Sequence, residues 1–324
     1  MTQIGYSLIC EELPPERLLD HARQAEQRGF NFLTISDHFH PWISAQGESP
    51  FVWNVLGALS QVTEEIEIGT AVTCPTFRYH PAIVAQAAAT SARMLEGRFR
   101  LGLGSGEALN EKIMGRAWPE ASIRLAMLKE AVQIIRELWK GESTSHYGQY
   151  YQLENATLFT LPEKLPEILI AASGEKAARL AGEIGDGLWG LAPDSELLET
   201  FEDSGGKEKP KYGQFHVCVA SSEGEAREIV HRRWPNGGLA GELNAILPTP
   251  AHFEQACQMV SEDMAVKNIV CSTDPEEHIE TVKKYAEAGY THVSVHQIGT
   301  DHRRFFELYS KEVVPEFTRA RIEA

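Results

Sequence analysis

Short runs of β-branched and aliphatic residues alternate along this chain with longer stretches in which apolar residues recur every three or four positions, a switch between strand and helix periodicity. The strand-like runs fall at residues 3–9, 31–36, 66–73, 99–104, 167–172, 187–191, 215–220 and 291–296. The first intervening stretch shows how the helices are specified. Pro14 and Pro15 open it, Leu18, Ala22 and Ala25 share one face, and Gly29 supplies a left-handed stop before the next strand. Eight strand–helix units in one chain predict a closed, parallel (β/α)8 barrel of the α/β class. Residues 141–165, rich in aromatics, read as an inserted hairpin or cover, and residues 205–211 as an exposed loop. Residues 234–264 carry turn signals and read as a further insertion, with an extra helix that could help wall a substrate. Alternation continues across all three, so residues 1–324 are expected to form a single domain with insertions at about 141–165 and 234–264.

The composition of the 324 residues, 43% hydrophobic and 23% charged, is that of an ordinary globular protein. A net charge of −16 opposes attraction to nucleic-acid phosphates or an anionic membrane, which leaves a small molecule as the expected partner. Five cysteines without a CxxC pair, and a start without a basic, apolar leader pattern, point to reduced thiols and a cytoplasmic location.

Barrels of this kind place their chemistry at the C-terminal ends of the strands. The second run ends in Ser36-Asp37-His38-Phe39-His40-Pro41-Trp42, with a carboxylate, two imidazoles and an indole in one loop. A histidine there can exchange protons near neutral pH, although Asp37 could simply cap the following turn. The third run leads into Cys74-Pro75-Thr76-Phe77-Arg78-Tyr79-His80-Pro81. The fourth ends as Gly102-Leu103-Gly104-Ser105-Gly106-Glu107-Ala108-Leu109-Asn110-Glu111, which lacks the third glycine of a dinucleotide fingerprint. Its glycines let a ligand approach the backbone, and Glu107 is placed either to act as an acid or to cap the turn that follows. After the fifth run, Ser173, Gly174, Lys176 and Ala177 begin a helix, a position suited either to a phosphate group or to a plain Ser173 cap.

These motifs, in this order and followed by Trp118-Pro119, resemble the F420-dependent oxidoreductases of the bacterial-luciferase-like superfamily, above all the glucose-6-phosphate dehydrogenases and secondary alcohol dehydrogenases. The likeness runs from about Gln3 to Phe317. It implies coenzyme F420 as cofactor, with Asp37, Cys74, Ser105, Gly106 and Asn110 about the deazaflavin and its ribityl region. It also implies a cis peptide between Ala71 and Val72, and Ser173, Gly174, Lys176 and Ala177 on the phosphate tail. By the same similarity His38 moves the substrate proton, Glu107 manages the proton at the cofactor ring, Trp42 shapes the reacting geometry, and the protein is a homodimer.

Trp189, Leu191, Asp194 and Lys267 are the expected substrate-side residues. Sugar-phosphate members hold a basic residue shortly after the sixth strand, where this chain has Asp194, whereas Lys267 matches another phosphate-binding lysine. A phosphate dianion is repelled by an aspartate, so a non-phosphorylated alcohol or carbonyl compound is the expected substrate, with glucose 6-phosphate as the alternative. Three other readings stay open: an FMN-dependent monooxygenase of the same superfamily, a metal-dependent hydrolase using Asp37, His38 and His40 or His292 and His296, and a cofactor-binding protein without turnover.

Overall fold

A computed structural model describes residues 2–318. Its barrel strands are β1 (Gln3–Leu8), β2 (Phe32–Ile35), β3 (Glu67–Thr70), β4 (Phe99–Leu103), β5 (Glu167–Ala171), β6 (Gly187–Gly190), β7 (Lys211–Val217) and β8 (His292–Gln297). Every neighbouring pair is parallel, β8 pairs with β1 through Gln3↔His292, and β6 pairs with β7 through Trp189↔Tyr212, so the sheet closes as expected. The first helix, Pro15–Gln27, buries Leu18, Ala22 and Ala25 against the barrel, and Gly29 turns the chain at φ +82°. A two-stranded antiparallel hairpin, Thr144–Tyr147 with Gln152–Ala156, fills the first insertion. The second insertion is a string of short helices that includes Pro250–Cys257 and Glu262–Val266.

The seventh strand differs from expectation. It spans Lys211–Val217 rather than 215–220, and Lys211, assigned above to an exposed loop, is its buried first residue, paired with Glu202 at 2.7 Å. Lys-Tyr-Gly-Gln carries no apolar alternation because each position meets a different demand. Tyr212 stacks on His292, a Cβ at Gly213 would lie 2.6 Å from the Tyr285 ring, and Gln214 turns inward to accept a hydrogen bond from Ser7.

Side chains two apart on a strand share a face, and the barrel interior is layered accordingly. At the bottom, Trp189, Tyr212 and His292 stack, Phe32 meets Tyr212 and His292 edge-on, and Arg100 pairs with Glu67 and Glu167. Above them Ser7, Thr34, Gln214 and Ser294 form a hydroxyl and amide layer, with Ser7 and Ser294 2.6 Å apart. One layer higher, His216 and His296 follow Gln214 and Ser294 into the C-terminal mouth.

Candidate active site

The loop after β2 is held from three sides. Asp37 is buried and accepts hydrogen bonds from Thr73 Oγ1 (2.7 Å), Arg78 Nη2 (2.9 Å) and the Tyr79 hydroxyl (3.3 Å), so it ties its own loop to the one after β3 instead of capping the next turn. Asn110 Oδ1 accepts from the backbone N–H groups of Phe39 and His40, and its Nδ2 donates to Glu107 at 3.4 Å. Glu111, fully buried, accepts from Thr76 and from the N–H groups of Phe77 and Arg78, fixing the loop after β3 against the one after β4.

Within this frame His38 donates from Nδ1 to the His40 carbonyl at 3.1 Å. A carbonyl only accepts, so the proton sits on Nδ1, and Nε2 faces two carboxylates, Glu11 at 3.3 Å and Glu107 at 3.7 Å. The Trp42 ring lies 5.0 Å from His38 and packs on Phe253 of the second insertion. Burial lifts the Glu107 carboxyl to about 7, with His38 drawing it down and Glu11 and Glu111 adding to the rise. An imidazole with one nitrogen anchored, beside a carboxyl that titrates near neutrality, is an arrangement for moving protons.

The loops after β3 and β4 approach closely. Gly106 has φ +84°, and a Cβ there would lie 2.3 Å from Cys74 Sγ. The Ala71-Val72 peptide is cis, and Val72 packs where a Cβ on Gly104 would fall. After β5, the cap of helix Glu175–Ile184 is Gly174, not Ser173, and no side chain caps it. Among the described residues the N–H groups of Glu175 and Lys176 have no acceptor, and a Cβ at Gly174 would meet nothing within 4 Å. Open N–H groups at a helix start, with Ser173 and Lys176 exposed beside them, form a ready anion cradle.

The substrate-side expectations fare differently. Trp189 does not reach the mouth, because its ring stacks on Tyr212 in the bottom layer. Asp194 caps helix Ser195–Phe201 by accepting from the Leu197 N–H, Leu191 is 59% exposed, and Lys267 is exposed at the end of helix Glu262–Val266. Sequence reasoning missed Glu11 and Glu12, which follow an apolar strand and look like ordinary surface acids yet are both buried. Glu12 accepts from Arg233 at 3.1 Å and faces His296 at 3.0 Å. Only their place at a strand's C-terminal end could have marked them. No group of three or more His, Cys, Asp or Glu among the described residues is arranged to hold a metal ion. His40 Nδ1 is bonded to the Leu109 carbonyl, and His292 lies in the bottom layer, away from His296.

Comparison with known proteins adds an independent line. The family model for luciferase-like monooxygenases matches residues 2–292. The F420-dependent glucose-6-phosphate dehydrogenase of Microbacterium testaceum is 36% identical over 98% of this chain and 98% of its own length. The enzyme of the same name from Nakamurella multipartita is also 36% identical, over 97% of this chain and 96% of its own. Among solved structures, an F420-dependent secondary alcohol dehydrogenase in complex with an F420–acetone adduct superposes with a TM-score of 0.90 at 30% identity, covering 96% of this chain and 98% of that one.

Proposed function

This chain belongs to the luciferase-like monooxygenase family, and from that premise we propose that it is an F420-dependent dehydrogenase or reductase acting on CH–OH groups, with His38 as the residue that exchanges the substrate proton. The observation that carries the reading is the placement of His38 Nε2 between Glu11 and Glu107 beside Trp42 at the barrel mouth. Relatives covering nearly the whole chain are named for the same cofactor and reaction type. The same reading makes the protein a homodimer, which sedimentation equilibrium checks.

The residues present suit the cofactor. The open helix start at Gly174 offers N–H groups, Ser173 and Lys176 to its phosphate tail, and the Ala177 backbone borders them. The close approach of Cys74 to Gly106, with Ala71, Val72 and Ser105 alongside, leaves backbone rather than bulky side chains to meet a flat ring. Asp37 and Asn110 support that surface through the loops they join. Once bound, the deazaflavin supplies the two-electron chemistry that no side chain can. In alcohol oxidation His38 Nε2 takes the hydroxyl proton, and the imidazolium so formed has the Glu11 carboxylate to bond. Glu107, held at about 7, keeps a proton available on the cofactor side. Trp42, wedged between His38 and Phe253, excludes water and fixes the substrate's approach.

For the substrate, the geometry favours a non-phosphorylated hydroxyl or carbonyl compound. Arg233 at the mouth is neutralised by Glu12, and Asp194 stands after β6. A second reading, glucose 6-phosphate, is favoured by the names of two relatives that are each 36% identical to this chain and by Lys267, which is exposed and has no ion pair among the described residues. Initial rates with F420 on 2-propanol, glucose and glucose 6-phosphate separate the two. The first reading expects kcat/KM for glucose 6-phosphate no higher than for glucose, and a preference for the phosphate of tenfold or more would replace it with the second.

A further inference from the structure

The mouth of the barrel holds a second hydrogen-bonded system that the proton-transfer scheme does not use. It starts one residue after Glu11, at Glu12, which faces His296 Nε2 at 3.0 Å, and continues from His296 Nδ1 to His216 Nδ1 at 2.8 Å. The Trp234 ring packs on both imidazoles, 4.6 Å from His296 and 5.5 Å from His216. Trp234 belongs to the same apolar cluster against which Trp42 rests, and Trp42 lies against His38, so this system adjoins the His38 site.

With both imidazoles neutral, the chain of bonds fixes the tautomers. Glu12, already accepting from Arg233, receives the Nε2 proton of His296. His296 Nδ1 is then a lone pair, and the short contact to His216 requires His216 to donate from its own Nδ1. His216 Nε2 is left as an acceptor. It has no partner among the described residues, and it is absent from the polar atoms sealed away without one. Burial above all holds His216 far below the usual imidazole range, at about 3, which keeps it neutral. On its strand it follows Gln214, which points to the barrel axis, so Nε2 is directed into the mouth.

Resting on the function proposed above, we infer that His216 is a substrate-positioning residue whose Nε2 accepts a hydrogen bond from a second hydroxyl of the substrate, so that the preferred substrates are neutral compounds with more than one hydroxyl, sugars or polyols rather than simple alcohols. Glu12, His296 and Arg233 set that acceptor by fixing the tautomer. A phosphate offers mostly acceptor oxygens and is unsuited to this position.

The test compares His216→Phe, which removes the acceptor, and His216→Gln, which restores one, with the wild type. F420 affinity and thermal midpoint are followed alongside kcat/KM for glucose and for 2-propanol. The expected result is a fall of about tenfold in the glucose to 2-propanol ratio for His216→Phe, carried mainly by KM, with substantial recovery in His216→Gln and F420 affinity held. A ratio within twofold of the wild type in a His216→Phe variant that still binds F420 overturns the inference and leaves the cofactor reading standing. Imidazole 15N chemical shifts of the cofactor-free protein supply an independent arm. A protonated Nδ1 on His216, with an Nε2 resonance that moves on adding glucose, supports the acceptor role, and an Nε2–H tautomer or an unmoved resonance overturns it. If the wild type binds no F420, the reading beneath falls, and the nitrogen shifts still decide the hydroxyl subsite.

Discussion

The bond from His38 Nδ1 to the His40 carbonyl leaves one imidazole nitrogen for chemistry, and Glu11 and Glu107 flank it. Removing that nitrogen in His38→Ala should lower kcat for alcohol oxidation by about 10²–10⁴, the range typical of a general base, with F420 affinity changed only slightly. Single-turnover kinetics under saturating cofactor measures this. Glu107 carries a pH signature of its own. Its carboxyl is raised from 4.5 to about 7 by burial first, so the protonated form that its proposed role on the cofactor side requires is lost as pH rises through that value. The alkaline limb of kcat/KM should therefore bend near pH 7 and disappear in Glu107→Gln, at a lower plateau. Stability follows the same sign. The native state holds this proton more tightly than the unfolded chain, so the contribution is present in full below the unfolded value and lost as pH climbs through the folded one. Thermal midpoints of the wild type should fall more than those of Glu107→Gln between about pH 5 and pH 8.

At the scale of elements, the proposed function rests on how three loops are locked at the C-terminal ends of β2, β3 and β4. Glu111 is the pivot, accepting three donors from residues 76–78 while fully buried. Glu111→Ala strands those donors and leaves Arg78 with one carboxylate fewer, so a loss of about 3 kcal/mol is expected in denaturant unfolding, together with weaker F420 binding. These loops were legible in the sequence because each follows an apolar run and concentrates polar residues where barrel geometry puts the mouth. Seven of the eight strands were legible to within a few residues for the same reason. β7 was not, since its inward positions carry Tyr212, Gln214 and His216, which fill a layered polar interior instead of an oily core. Glu11 and Glu12 were missed on the same ground: acids at a strand end look solvated until the folded mouth closes around them. Trp189 misled in the opposite direction, an aromatic near a strand end that packs downward onto Tyr212.

At the scale of the whole molecule, the closed parallel sheet brings strand ends far apart in sequence to one rim. His38 and Glu107 meet there with Glu11, Trp42 and the helix start at Gly174, and Glu12, His216 and His296 gather beside them. The surface of net charge −16 gives no electrostatic reason to attract polyanions, while the anion cradle at Gly174 is a local exception built from backbone N–H groups. The described residues include no helix long and apolar enough to cross a membrane. Cofactor identity is the claim on which the rest depends, and titration of the purified protein with F420, followed by deazaflavin fluorescence or absorbance, tests it most directly. Saturable binding to one site per chain, with the bound cofactor reduced when an alcohol is added, is the predicted result. No saturable binding of F420, together with stoichiometric binding of FMN, would contradict the account.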